Sequence, residues 1–185
     1  MSKKRAKKIK LILFDVDGTL TDGKLFFIPV PTTETAIEIK GFHAHDGAGI
    51  SIARLGGLKT GIITKRTSET VAIRARDLKL DVIRQGVQDK LTVLEQILKE
   101  EKITASEAAF VGDDVIDLPA MRACGLAIAV ANARDAVKEE AHYITPNTGG
   151  NGAGRDAIEY ILKAQGKWKK AVSEYVMERS GKAKK

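Results

Sequence analysis

Short runs of apolar residues alternate with amphipathic stretches along most of the chain. The apolar runs predict strands over residues 10–14, 58–63, 81–83, 108–111, 126–130 and 143–144. The stretches between them predict helices over residues 46–55, 68–78, 89–101, 116–123 and 134–140, and a long last helix over about 156–177. Apolar strands that alternate with helices are typical of a parallel sheet covered on both faces. We therefore predict an α/β fold, a Rossmann-like three-layer α/β/α domain.

One segment departs from this alternation. Residues 24–30 and 35–42 are both β-prone, and proline and threonine residues separate them. This pattern predicts a small β-hairpin, a flap over about residues 24–42. The other gaps between elements are too short for a further domain, so we expect no full cap domain.

Composition and charge fix the domain organisation. The 185 residues are 43% hydrophobic, which is the size and content of one domain with a buried core. The net charge of +7 lies at the ends, because residues 1–10 hold six basic side chains and residues 182–185 hold three, with no acids. Residues 11–181 carry a net charge of −2. We predict disordered basic tails over 1–8 and 179–185 around one domain at 9–178, and we do not expect a nucleic-acid partner.

The sequence also bears on the compartment. Cys124 is the single cysteine, which rules out an intramolecular disulfide and fits a reducing environment. No apolar run approaches the roughly 20 residues that span a bilayer, so no membrane insertion is expected. We predict a cytoplasmic protein.

Polar side chains follow the predicted strands, and ligands of such sheets bind at the carboxyl ends of strands. These residues are Asp15, Asp17, Thr64, Lys90, Asp113, Asp114 and Asp117. Several carboxylates at one edge repel each other, and a cation such as Mg²⁺, which prefers carboxylates and phosphate oxygens, relieves that repulsion. Asp15 at a strand end can attack phosphorus, and Asp17 beyond it can move a proton.

The same residues resemble the motifs of the haloacid dehalogenase superfamily. The four motifs are DVDGT at 15–19, Thr64, Lys90 and GDDVID at 112–117. HDGAGI at 45–50, QGVQDK at 85–90, GDDVIDLPAM at 112–121 and the later GGNGAGRDAI and AQGKW are similar to the 3-deoxy-D-manno-octulosonate 8-phosphate phosphatase family. The resemblance covers about residues 9–175.

The resemblance implies a role for each motif residue. Asp15 would be the nucleophile and a Mg²⁺ ligand, Asp17 the acid/base and a ligand through its backbone carbonyl, and Asp113 the third protein ligand. Thr64 and Lys90 would bind the transferring phosphoryl group. Asp114 and Asp117 would orient the metal ligands.

Substrate-binding residues follow less directly. Arg66 and Arg74 match family positions associated with the sugar acid, whose carboxylate a guanidinium pairs with well. His45, Asp46 and Gly47 are expected beside them, and Arg155 is expected to reach a neighbouring subunit's site. Alternatively, Arg74 is a solvated helix arginine, and the glycine-rich segment before Arg155 is a flexible loop.

The implied reaction is Mg²⁺-dependent hydrolysis of 3-deoxy-D-manno-octulosonate 8-phosphate through an aspartyl phosphate. The family also implies a homotetramer, because a lone hairpin excludes water poorly and neighbouring subunits cover each site. His45, Ser51 and Lys65 depart from the family pattern, which leaves a related nine-carbon sugar acid phosphate or a broader sugar phosphatase as alternatives. A non-catalytic oligomerisation module is the alternative from another class.

Overall fold

The computed structural model describes residues 2–33 and 35–180. Within these residues, six strands form one parallel sheet: β1 (Leu11–Phe14), β4 (Lys59–Ile63), β5 (Val82–Arg84), β6 (Ala108–Gly112), β7 (Leu126–Ala129) and β8 (Tyr143–Ile144). Their order across the sheet is β5-β4-β1-β6-β7-β8, and β2 (Phe26–Pro29) pairs separately with β3 (Ala36–Ile39). The helices are α1 (Ser2–Ala6), α2 (Ala44–Leu55), α3 (Glu69–Asp77), α4 (Lys90–Glu101), α5 (Leu118–Ala123), α6 (Asp135–Glu140), α7 (Ala153–Ala164) and α8 (Trp168–Arg179).

Strand β1 lies at the centre of the sheet, between β4 and β6. Its register pairs Leu13 with Gly61 on one side and with Phe110 on the other. Every side chain of β1 and β6 is buried, as expected for strands covered on both faces. Helices α7 and α8 pack with α2 on one face, where α1 packs against α7, and α5 packs with α4 and α6 on the other. The predicted three-layer α/β/α fold without a full cap domain is confirmed.

The inserted hairpin is confirmed as an antiparallel pair with two distinct faces. Phe26 pairs with Ile39, and Ile28 pairs with Ile37. Since cross-strand partners point the same way and successive residues alternate, these four side chains share one face, which we call the outer hairpin face. Each of the four is between 44% and 58% exposed. The opposite, inner face carries Glu38 and turns toward the loop after β1.

Two predictions about the ends of the chain are wrong where the structure describes them. Residues 2–6 form a helix rather than a disordered tail: Ala6 is fully buried, and Arg5 donates a hydrogen bond to the carbonyl of Gly125 at 2.9 Å. The predicted helix over 156–177 is two helices, α7 and α8, because Gly166 adopts a left-handed φ of 71° and ends the first. Most of the predicted tail at 179–185 lies outside the described residues.

Hydropathy of the helices gives one further result. In the part of the chain that the structure describes, no helix combines the length and apolar character needed to cross a bilayer.

Candidate active site

The loop after β1 places two carboxylates through a tight turn. The amides of Thr19, Leu20 and Thr21 all donate to the carbonyl of Val16, which coils the chain back on itself. Gly18 has φ +91°, and a Cβ atom there would lie 2.1 Å from Asp113 Oδ2. Only glycine fits both the backbone angle and the close approach of Asp113.

Asp15 and Lys90 form the buried centre of the site. Lys90 Nζ lies 2.7 Å from Asp15 Oδ1 and 2.6 Å from Asp117 Oδ1, and the three side chains are 6% exposed or less. Burial and the neighbouring Asp117 charge raise the pKa of Asp15 to about 6, although Lys90 opposes them. Burial alone would lower the pKa of Lys90, but the two carboxylates raise it, so the ammonium stays charged.

Asp113 completes a cluster of acidic groups. Carboxylate oxygens of Asp15, Asp113 and Asp117 lie within 4.8 Å of one another. Burial, followed by the charges of Asp15 and Asp117, raises the pKa of Asp113 to about 7. Thr19 Oγ1 donates a hydrogen bond to Asp113 Oδ1 at 3.3 Å. The three carboxylates offer only oxygen ligands, and their mutual repulsion opposes ionisation. A hard divalent cation would bind such oxygens and relieve the repulsion.

Asp117 differs from the other two acids in its partners. Its Oδ1 accepts from Lys90, and its Oδ2 accepts from the backbone amides of Asp113 at 3.0 Å and Asp114 at 3.4 Å. Its oxygens are therefore engaged with Lys90 and the Asp113 backbone, and its predicted role of orienting the metal ligands stays a prediction. Asp114 is exposed and accepts a hydrogen bond from the amide of Val115, which begins a short 3₁₀ turn.

Asp17 is held by Lys40, which the sequence reasoning missed, and by Arg66, which it had assigned to the substrate. Lys40 Nζ contacts Asp17 Oδ1, and Arg66 Nε lies 3.7 Å from Asp17 Oδ2. Glu38 links the two cations, since its Oε1 lies 2.7 Å from Arg66 Nη2 and 3.4 Å from Lys40 Nζ. Alternation along a strand would have placed Glu38 and Lys40 on one face, but it could not show that this face meets Asp17.

Thr64 follows β4 directly, as predicted. It is 2% exposed, its amide donates to the carbonyl of Arg84, and its carbonyl accepts from the amide of Val87. The backbone of Thr64 is thus fixed at the carboxyl edge of the sheet, beside the first strand. Its predicted hydrogen bond to a phosphoryl group stays a prediction.

Asp46 and Arg155, two predicted substrate-binding residues, contact each other within this chain. Asp46 Oδ1 accepts a hydrogen bond at 2.8 Å from the amide of Arg155 in the first turn of α7, and Asp46 is 4% exposed. The Arg155 guanidinium lies 4.8 Å from the ring centroid of Trp168 in the same chain. Both residues therefore have intramolecular contacts, and their predicted substrate roles stay predictions.

Gly47 and Arg74 also pack against each other. A Cβ atom at Gly47 would lie 2.7 Å from Arg74 Nη2, and the Arg74 guanidinium lies 5.9 Å from the Phe42 ring. Gly47 thus makes room for Arg74, and Arg74 is half-buried rather than solvated. The cavity beside them has a volume of about 20 Å³, room for about one water, so it is no sugar pocket.

His43 directly precedes α2, and His45 lies in its first turn. His43 Nδ1 accepts a hydrogen bond from the amide of His45 at the start of α2, and the rings pack edge to face. His43 therefore caps α2. His45 is exposed in the first turn of α2, and its predicted substrate-facing role stays a prediction.

Comparisons with known proteins show the family to which the chain belongs. A family model described as haloacid dehalogenase-like hydrolase matches residues 59–155. The chain is 36% identical over 163 residues to the 3-deoxy-D-manno-octulosonate 8-phosphate phosphatase of Haemophilus influenzae, covering 88% of each chain.

Solved structures give the same result. The Moraxella catarrhalis 3-deoxy-D-manno-octulosonate 8-phosphate phosphatase, in complex with magnesium, phosphate and the sugar acid, superposes with a TM-score of 0.87 at 39% identity, covering 94% of this chain and 97% of that one. The cobalt-bound Haemophilus influenzae phosphatase superposes with a TM-score of 0.81 at 36% identity, covering 89% and 93%.

Proposed function

Because the chain belongs to the haloacid dehalogenase-like hydrolases, among the 3-deoxy-D-manno-octulosonate 8-phosphate phosphatases, we propose that it hydrolyses 3-deoxy-D-manno-octulosonate 8-phosphate to the sugar acid and phosphate. The observation that carries the proposal is the buried Asp15–Lys90–Asp117 cluster beside Asp113. A purely structural module would gain nothing from gathering three carboxylates that oppose each other's ionisation.

The first step uses Asp15 as nucleophile. One oxygen of the Asp15 carboxylate attacks phosphorus, and the bond from phosphorus to the sugar oxygen breaks, which leaves an aspartyl phosphate. Asp17 donates its proton to the leaving sugar oxygen. Lys90, fixed by Asp117, holds positive charge beside the transferring group.

The second step reverses the role of Asp17. Asp17 takes a proton from water as the water oxygen attacks phosphorus, and the bond to Asp15 breaks to release phosphate. Thr64 at the end of β4 is the proposed hydrogen-bond donor to the phosphoryl oxygens in both steps.

Asp15, Asp113 and the backbone carbonyl of Asp17 would hold Mg²⁺. The bound ion supplies positive charge that offsets the repulsion between the Asp15 carboxylate and the dianionic phosphate. Burial and the neighbouring carboxylates raise the pKa of Asp113 to about 7, and a divalent cation bound beside it would favour its ionised form. This need for positive charge supports Asp113 as a metal ligand.

Arg66 is the proposed partner of the sugar acid's carboxylate. Its side chain is 42% exposed and spans from Asp17 to Glu38, so it stands at the open side of the acid/base. His45 and Arg74 are proposed to contribute farther from phosphorus.

We also propose that the chain assembles as a homotetramer in the cytoplasm. The outer hairpin face presents four exposed apolar side chains, and a patch of this kind marks a protein contact. A neighbouring hairpin seated there would help cover a site that lacks a cap domain. The buried single cysteine fits a reducing compartment.

A substrate panel tests the function directly. We expect phosphate release from 3-deoxy-D-manno-octulosonate 8-phosphate with Mg²⁺, loss of activity with chelator, and at least about a thousandfold loss in Asp15→Asn. Preference for a nine-carbon sugar acid phosphate, or equal rates across sugar phosphates, would replace the substrate but keep the chemistry. No turnover of any phosphomonoester would favour the oligomerisation module.

A further inference from the structure

Lys40 is a buried cation that the reaction described above does not use. It directly follows β3, the second hairpin strand, and its side chain is 1% exposed. A lysine is rarely buried without a partner, because its ammonium loses hydration there. Its partners are two carboxylates, Asp17 and Glu38.

The contacts of Lys40 show which oxygen of Asp17 it binds. Its Nζ contacts Oδ1 of Asp17, while Arg66 Nε lies 3.7 Å from the other oxygen, Oδ2. Lys90, which contacts the proposed nucleophile Asp15, pairs instead with Asp15 and Asp117. The two buried lysines therefore serve different carboxylates.

Arg66 constrains the Asp17 carboxylate less than Lys40 does. Its side chain is 42% exposed and makes its shorter contact, 2.7 Å, with Glu38. Glu38, on the inner hairpin face, accepts a hydrogen bond from Arg66, and its Oε1 also lies 3.4 Å from Lys40 Nζ. It therefore helps to fix the positions of both cations. Burial of Lys40 removes the competition from water that loosens exposed ion pairs.

We propose that Lys40 is a positioning residue that holds the Asp17 carboxylate in the orientation from which it transfers protons, and that the hairpin thereby becomes part of the acid/base machinery. This inference rests on the proposed phosphatase function. Proton transfer depends on geometry, and a misplacement of about 1 Å can cost about 100-fold in rate. The hairpin would then have a task in each subunit besides covering the site.

The test compares two leaving groups in four proteins: wild type, Lys40→Met, Lys40→Arg and Lys24→Met. Lys24 is the matched control, a 71% exposed lysine at the start of the same hairpin segment. The first substrate, 3-deoxy-D-manno-octulosonate 8-phosphate, releases an alcohol that needs a proton. The second, p-nitrophenyl phosphate, releases a phenolate that leaves without one, and its first step is followed as single-turnover nitrophenolate release.

We expect Lys40→Met to lower kcat on the sugar acid phosphate about 10- to 100-fold with KM within about threefold. Single-turnover nitrophenolate release should stay within about threefold of wild type, Lys40→Arg should recover most of the lost kcat, and Lys24→Met should match wild type. Circular dichroism checks the fold of each variant, and Lys40→Gln replaces Lys40→Met if that protein does not fold.

Three results would overturn the proposal. A raised KM with unchanged kcat would make Lys40 a substrate contact. Equal losses with both leaving groups would make it a structural residue, and wild-type kcat in Lys40→Met would give it no role. Absence of turnover by the wild type on every phosphomonoester is a separate outcome, which rejects the phosphatase function and this inference with it.

Discussion

Lys90 and Asp117 form an ion pair in which Nζ lies 2.6 Å from Oδ1 and both side chains are 3% exposed or less. Because Asp117 also accepts from two backbone amides, it cannot turn away from Lys90 without losing those hydrogen bonds. The pair fixes Lys90 in a position where it also meets Asp15. Lys90 therefore both supplies positive charge beside Asp15 and contributes to the stability of the fold.

Replacing Lys90 with methionine should destabilise the metal-free protein strongly. Asp15 and Asp117 would be left without their cation, and breaking a buried pair in this way typically costs about 3–5 kcal/mol. Since Lys90 lowers the pKa of Asp15, its removal raises that pKa further, so the loss should be largest near about pH 8 and smaller near about pH 5.5. Urea unfolding at both pH values measures the effect.

Lys59→Met is the control for that measurement. Lys59 also pairs with an acid, Glu101, but its side chain is 55% exposed, so its loss should cost less than about 1 kcal/mol. Equal losses for the two variants, or a Lys90→Met loss independent of pH, would contradict the assignment of Lys90 to the acidic cluster.

Stabilisation by Mg²⁺ should depend on pH through Asp113. In the metal-free protein the raised pKa of Asp113, about 7, means that the folded state binds more protons than the unfolded chain between about pH 4 and pH 7. Its contribution to the free energy of unfolding therefore falls as the pH rises through this window. Mg²⁺ must displace the proton, so its rise in Tm should be larger near about pH 8 than near about pH 5.5.

Asp113→Asn separates this effect from general salt stabilisation. The variant lacks the titrating group, so it should show a small Mg²⁺ shift at both pH values and, without metal near about pH 8, a Tm at or above that of the wild type. A wild-type shift that is the same at both pH values would show that Asp113 does not control binding.

Asp46 should matter for stability more than for activity. Asp46→Ala leaves the Arg155 amide at the start of α7 without its acceptor, a loss of about 1–3 kcal/mol by urea unfolding. We expect kcat and KM at a temperature well below Tm to stay within about threefold. Asp77→Ala, an exposed acid at the end of α3, is the control and should change stability by less than about 0.5 kcal/mol. A raised KM with unchanged stability would instead support the predicted substrate role of Asp46.

The sequence predicts elements better than contacts between them. The boundaries of the six strands of the parallel sheet lie within about one residue of those observed, because apolar runs at a sheet centre are a local signal. Gly166 carried a local signal too, the glycine that ends α7, but the apolar periodicity on both sides of it favoured one helix. The ordered helix at 2–6 was missed because a basic, polar stretch gives no sign that Ala6 packs into the core.

The candidate site divides in the same way. Asp15, Thr64, Lys90 and Asp113 follow from motifs at strand ends, where topology guarantees convergence. Asp46 and Arg155 are 109 residues apart, so nothing in the chain shows that one caps the helix of the other. Lys40 likewise reads as an ordinary hairpin lysine until the inner hairpin face is seen against Asp17.

Charges on the outer hairpin face should prevent assembly. Ile28 and Ile37 are cross-strand partners, both more than 50% exposed, and replacing both with lysine places two like charges at the centre of the proposed contact. We expect wild type to elute as a tetramer and the double variant as a smaller species in size-exclusion chromatography with light scattering. Val176→Lys, which charges an equally exposed apolar position on α8, should leave the assembly intact. A tetrameric double variant would place the contact on another surface, and a monomeric wild type would reject the assembly. The activity of each species would then show whether the active site works without a neighbouring subunit over it.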